Sequence, residues 1–258
     1  TISLIAQAAP DAAPGSSQSM LLPMLVLVPL ATALLVAAAP AARARMIALL
    51  GTLVAVVGAG VAMAIFPWKQ GTGFQFGWEI SWLSQVGIDL SMGVDAVSMM
   101  LVGLTALLGP ICVQSSKTAI TERLKTYYAW LLVLQAAMTG VFVARDLVLF
   151  YICFEFTLVP MFILISLYGS TNRRKAAIKF FLYTFTGSVI ALAGLVYVAW
   201  FNSHLSPATI SAAQPSLLGT FEKLGRWTFD IGTLEQAARL MSATQQGWVL
   251  LALMAGFA

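Results

Sequence analysis

Of the 258 residues, 60% are Ala, Val, Ile, Leu, Met, Phe, Trp, Tyr or Cys, and only 9% carry a charge. Soluble domains sit nearer ~25% charged, so this composition excludes an ordinary soluble domain, a nucleic-acid-binding protein and a disordered chain; what remains is a membrane protein. The net charge of +4 therefore matters mainly for which side of a bilayer the basic residues occupy.

Residues 1–19, rich in Ala, Pro, Ser and Gln, read as a flexible outer tail, with a processed signal remnant ending near Ala6–Gln7–Ala8 as the alternative. Residues 20–258 read as a polytopic transmembrane domain. Long uncharged runs predict helices over about 21–42, 45–66, 93–114, 127–143, 147–168 and 176–201, and a seventh opening near Gly247. Each run suits a bilayer core of ~30 Å, which needs ~20 helical residues that satisfy their own backbone. With six complete spans and one begun, the chain reads as the N-terminal part of something longer. The fold class is an all-α transmembrane bundle.

Placing the tail outside puts Arg43, Arg45, Lys117, Arg123, Lys125, Arg173, Arg174, Lys175 and Lys179 inside. Lys69, Arg145, Lys223, Arg226 and Arg239 remain outside, three of them in the long 202–246 loop, where the positive-inside rule hardly counts. Between the second and third spans, Phe74, Phe76, Trp78, Ile80 and Trp82 alternate, and Val86, Ile88 and Leu90 do so again after Ser84 and Gln85. Period two with aromatic enrichment predicts a small β-hairpin over the outer surface, a cap and not a catalyst; a belt of interfacial aromatics is the alternative. Asp95 and Asp146 each precede a helix and read as N-caps, with Arg145 as an interfacial anchor. Arg173, Arg174 and Lys175 are most simply the orientation signal, with a lipid head-group site as the alternative.

Glu155 stands near the middle of the fifth span. A carboxylate there costs several kcal/mol unless it is paired, neutralised or hydrated, which makes it the chain's candidate functional residue. Pro160, five residues on, removes the hydrogen bond to the Phe156 carbonyl and favours a hydrated pocket. Thirteen residues separate Glu155 from Tyr168, ~20 Å of helix, and the same height on neighbouring spans falls near Thr105, Gln135, Thr139, Gly140, Thr186 and Ser188. Tyr151, one turn away, can donate to it. Taken singly, each Ser or Thr is expected to bond its own backbone. Lys179 lies ~15 Å nearer the inner end, too far for an ion pair; it either snorkels or serves as an inner relay point reached through water. Cys112 and Cys153 lie in apolar runs, and His204 is the one histidine, so neither a disulfide framework nor a metal site is expected. No cofactor is expected either: there is no cluster motif, dinucleotide fingerprint or quinone-specific constellation.

Three stretches, GVDAVSMMLVGLTALLGP at 93–110, LFYICFEFTLVPMFILISLYG at 149–169 and NRRKAAIKFFLYTFTGS at 172–188, resemble the M-chain family of respiratory NADH:quinone oxidoreductase, complex I. These antiporter-like membrane-arm subunits are related to subunits of multisubunit Na⁺/H⁺ antiporters. The resemblance covers about residues 20–258 and departs at Ala96, where the family usually has Gly. It implies a five-helix repeat in inverted orientation, a proton-channel role for Glu155 with a lysine partner on the next, discontinuous helix, and a family position at Lys179. It also implies membrane-arm partners, including neighbouring antiporter-like chains, in a bacterial inner membrane, with NADH and quinone bound by other chains. Three functions remain open on these residues: proton translocation in complex I, Na⁺/H⁺ antiport, and a structural spacer, against which buried Glu155 argues.

Overall fold

A computed structural model of the chain describes residues 19–68, 74–83, 87–206 and 224–257. The helices are α1 (Leu21–Ala38), α2 (Ala41–Ile65), α3 (Ala96–Ser115), α4 (Leu124–Val143), α5 (Leu147–Tyr168), α6 (Arg173–Ser203), α7 (Ile231–Arg239) and α8 (Ala243–Phe257). The strands are β1 (Gln75–Leu83) and β2 (Ile88–Val94). The first six helices are long and apolar enough to cross a membrane. The chain is a multi-pass, all-α membrane protein, with one two-stranded sheet among the described residues.

Local chemistry explains the breaks. Ala39 is extended (ψ 160°) because Pro40 disfavours helix at the residue before it, so α1 stops at Ala38 and α2 starts afresh. Asp95 accepts from Ser98 N at 2.7 Å, and Asp146 from Val148 N at 2.8 Å and Leu149 N at 3.3 Å; both act as the caps their positions predict. Arg123 and Asn172, with φ of +48° and +63°, make the tight turns into α4 and α6. Helix α6 starts three residues earlier than the apolar run suggested, because Arg173–Lys175 continue the helix past the hydrocarbon. Its 31 residues span ~46 Å against a ~30 Å core.

Helix α4 is the hub. It packs against α1, α2, α3 and α5; α5 continues to α6, and α6 to α7 and α8. All connections bearing Arg43, Arg45, Lys117, Lys125 and Arg173–Lys175 fall at one end, the basic end. The hairpin, the α4–α5 turn and α7 fall at the other.

At the hairpin end β1 and β2 pair antiparallel, Trp78 opposite Met92 and Ile80 opposite Leu90. The alternation does not translate into one buried aromatic face. Phe76 has φ +57° within an irregularity between Gln75 and Trp78, and this puts its ring against Phe66 while Trp82 stays exposed. Val86, with the neighbouring 84–85 break, and residues 1–18 of the tail lie outside the described residues. Strand β2 receives Arg145 N at Ser91 O (2.9 Å), and on the other side Leu147 N donates to Phe229 O (2.8 Å) and Ile231 N to Arg145 O (3.1 Å). The α4–α5 turn is thus threaded between two extended segments. Arg145 is more than an anchor. Its Nε meets Asp230 Oδ1 at 3.1 Å and its guanidinium lies over Phe74, while Asp230 also caps α7 through Thr233 N at 2.8 Å. The expected loop 202–246 therefore contains a helix, and α8 opens at Ala243, four residues before Gly247.

Candidate functional site

Glu155 lies on the flank of α5 that meets α6. The hydroxyl of Tyr151, one turn up, lies beside Glu155 and Ser188 of α6, which places three polar groups from two helices near one another. Ser188 is buried and gives its own proton to Phe185 O at 2.8 Å, which leaves its oxygen free to accept. Glu155 Oε1 is buried without a hydrogen-bond partner. A buried carboxylate oxygen with an open lone pair beside a tyrosine and a serine suits a group that passes protons through water.

The sequence-level polar layer divides around α4. Gly140 leaves room for Cys153 of α5; a Cβ built there would stand 2.8 Å from its sulfur. Gln135, five residues earlier, points about 140° round the helix from that contact. Its amide lies on Gly109 of α3 instead, 2.6 Å from a Cβ built there, so it does not face Glu155. Thr105 and Thr139 hydrogen-bond the Leu101 and Gln135 carbonyls of their own helices, at 2.8 and 2.9 Å. Thr186 is exposed.

Lys179 is exposed as well. Measured from Arg173 it stands ~9 Å into α6, which narrows its difference in depth from Glu155 to ~11 Å; nine residues from Ser188, it points about 180° away. Separation round the helix, which linear counting misses, keeps the two charges apart more firmly than depth does.

A second helix reaches the Glu155 level from the hairpin end. Gly256 of α8 packs on Gly187 and Ala191 of α6, and Ala252 on Gly194; a Cβ built at Gly187 would stand 2.8 Å from the Gly256 carbonyl oxygen. Small residues let the two backbones approach, and the approach falls one residue from Ser188. Among the described residues no group of His, Cys, Asp and Glu has a metal-binding arrangement.

An antiporter-like transmembrane bundle, with a carboxylate that has one buried oxygen where two of its helices meet, is the class this arrangement defines. Residues 144–257, which hold the entire Glu155 site, match the family described as NADH:quinone oxidoreductase/Mrp antiporter, transmembrane. NADH-quinone oxidoreductase subunit M of Rhodobacter capsulatus is 41% identical over 183 residues, 68% of this chain and 35% of that protein. In the structure of respiratory complex I from Thermus thermophilus with bound NADH, one chain matches 93% of this chain and 43% of its own length, with a TM-score of 0.68 at 22% identity. A chain of the Mrp complex from Dietzia sp. matches at a TM-score of 0.55 and 20% identity, covering 91% of this chain and 25% of that one. At such identities the structural likenesses speak for the fold alone. The chain spans about a quarter to a third of the length of the curated relatives it matches.

Proposed function

We propose that the chain is part of a proton-translocating, M-type membrane-arm subunit of NADH:quinone oxidoreductase. It moves protons through Glu155 while other chains bind NADH and quinone and transfer electrons. The observation that supports this is the proximity of Tyr151 to both Glu155 and Ser188, with one Glu155 carboxylate oxygen buried and unpartnered, inside the segment that matches the family. Its partners are other membrane-arm subunits and lipid, in an energy-transducing membrane, with the N-terminus outside and the basic end inside. Lys179, exposed near the basic end, serves as an inner relay point through water and not as the ion-pair partner of Glu155. A subunit of a multisubunit Na⁺/H⁺ antiporter is the second reading, supported by the joint family and the Dietzia likeness. Co-purification with flavin and iron–sulfur chains favours the first, and its failure the second.

The test is substitution in the assembled complex. Glu155→Gln keeps shape and hydrogen bonding but cannot ionise, so proton translocation into vesicles is expected to collapse while assembly stays normal. Glu155→Asp retracts the carboxylate by one methylene, a gap a water can bridge, and partial activity is expected. Lys179→Ala is expected to lower activity only in part. Wild-type pumping by assembled Glu155→Gln complex would overturn the relay assignment.

A further inference from the structure

Helices α1 to α4 bury two separate apolar clusters. One, toward the hairpin end, contains Leu25, Ala59, Ala106 and Val143; the other, toward the basic end, contains Ala33, Ala48, Val113 and Leu132. At or beside their boundary every one of the four helices contributes a polar side chain: Thr32, Thr52, Thr105, which stands next to Ala106 of the first cluster, and on α4 both Gln135 and Thr139. Their relative exposures are 7, 1, 7, 6 and 5%, so all five are more than nine-tenths buried.

The hydrogen-bond inventory of this layer does not close. Each threonine gives its one hydroxyl hydrogen to its own helix, Thr32 to Val28 O, Thr52 to Leu49 O, Thr105 to Leu101 O and Thr139 to Gln135 O, at 2.7 to 2.9 Å. Their oxygens keep the capacity to accept. Gln135 supplies the converse, an amide nitrogen that is buried and has no acceptor. Gly109 has no side chain where that amide lies. Thr139 is one turn from Gln135 on α4, and Thr105 one turn from Gly109 on α3, so both stand on the same side of this contact.

We propose that this layer is a binding site for an internal water, held between the Gln135 amide nitrogen, which donates to it, and the Thr105 and Thr139 hydroxyl oxygens, which accept from it. Buried waters take two to four polar partners, and an unmade hydrogen bond in a membrane interior is costly to leave open. Neutral donors and acceptors with no carboxylate among them favour water over a cation. The site is enclosed in the α1–α4 bundle, on the far flank of α4 from Glu155, and does not depend on Glu155 carrying protons.

Two measurements on the assembled membrane complex test it. A structure at a resolution that shows ordered water is expected to place a peak at about 2.7–3.2 Å from Gln135 Nε2. A protein oxygen bonded to that nitrogen instead, or a peak ligated at shorter range by oxygens alone as a cation would be, overturns the proposal. Radiolytic hydroxyl labelling, which marks side chains next to bound water, is expected to modify Leu132 although it is fully buried. In Gln135→Leu that labelling falls to background; should this variant not assemble, Thr139→Val, which keeps the shape and removes one acceptor, is expected to reduce it. Absence of Leu132 labelling in the wild type, or labelling unchanged in an assembled variant, overturns the proposal. Normal pumping by Glu155→Gln would refute the relay and leave the water site standing.

Discussion

Asp146 shows how one side chain serves two demands. It caps α5, yet the threading of its turn between β2 and residues 229–231 leaves it only 2% exposed. Burial pushes its carboxyl from an ordinary 3.8 up to about 6, opposed by the N–H bonds of Leu149 and Val148 and reinforced by the charge of Asp89. A carboxyl raised on folding binds its proton more tightly in the folded state, so its contribution to stability is full below pH ~4 and is lost as the pH rises through about 6. Asp146→Asn, which cannot ionise, is expected to flatten the difference in amide-exchange protection of Val148 and Leu149 between pH 5 and pH 7.5. An equal difference in variant and wild type would assign the effect to another group. Tyr151 is the other informative residue. Tyr151→Phe removes the hydroxyl that stands beside Glu155 and Ser188 and keeps the ring, so assembly is expected to hold. If that hydroxyl serves the relay with the ~1 kcal/mol of a net hydrogen bond, proton translocation is expected to fall about fivefold, and an unchanged rate would place the hydroxyl outside the path.

Among the elements, α8 depends most on a single contact. Its dry seam with α6 is made from Gly187, Ala191 and Gly194 on one side and Ala252 and Gly256 on the other. A side chain at Gly187 runs into the Gly256 carbonyl, which is backbone and cannot swing aside. Gly187→Val is expected to cost ~1–3 kcal/mol in overpacking and to appear as faster amide exchange along α8, with α1–α3 unchanged. Gly247, at which a built Cβ meets nothing within 4 Å, is the control: Gly247→Ala is expected to leave the exchange of α8 unchanged or slower, since Gly lowers helix propensity by ~1 kcal/mol.

For the whole molecule the open question is direction across the bilayer. The connections bearing Arg43, Lys117 and Arg173–Lys175 share one end, and by the positive-inside rule that end is expected to face the cytoplasm. In a background with Cys112 and Cys153 replaced by Ser, a cysteine at exposed Ser170 is expected to react with a membrane-impermeant thiol reagent only from the cytoplasmic side, and one at exposed Gly77 only from the outside. The reverse pattern would invert the topology and leave the fold untouched.

Composition and charge spacing by themselves determined that the chain is a membrane bundle with six helices long enough to span, roughly where the first five of them end, and which carboxylates cap α3 and α5. These are local properties: hydrocarbon demands a helix of a certain length, and a cap acts on the next three residues. Height along each helix can be counted too, because rise per residue is constant, and that count puts Gln135, Thr139 and Ser188 near one level. Only the packed structure decided which of them face each other. A residue's direction round a helix has meaning only once the neighbours are placed, so Tyr151 stands beside both Glu155 and Ser188 while α4 turns Gln135 toward Gly109 and α6 turns Lys179 outward. The union of Arg145 with Asp230, 85 residues apart, and the docking of α8 on α6 likewise join segments whose proximity no local pattern encodes.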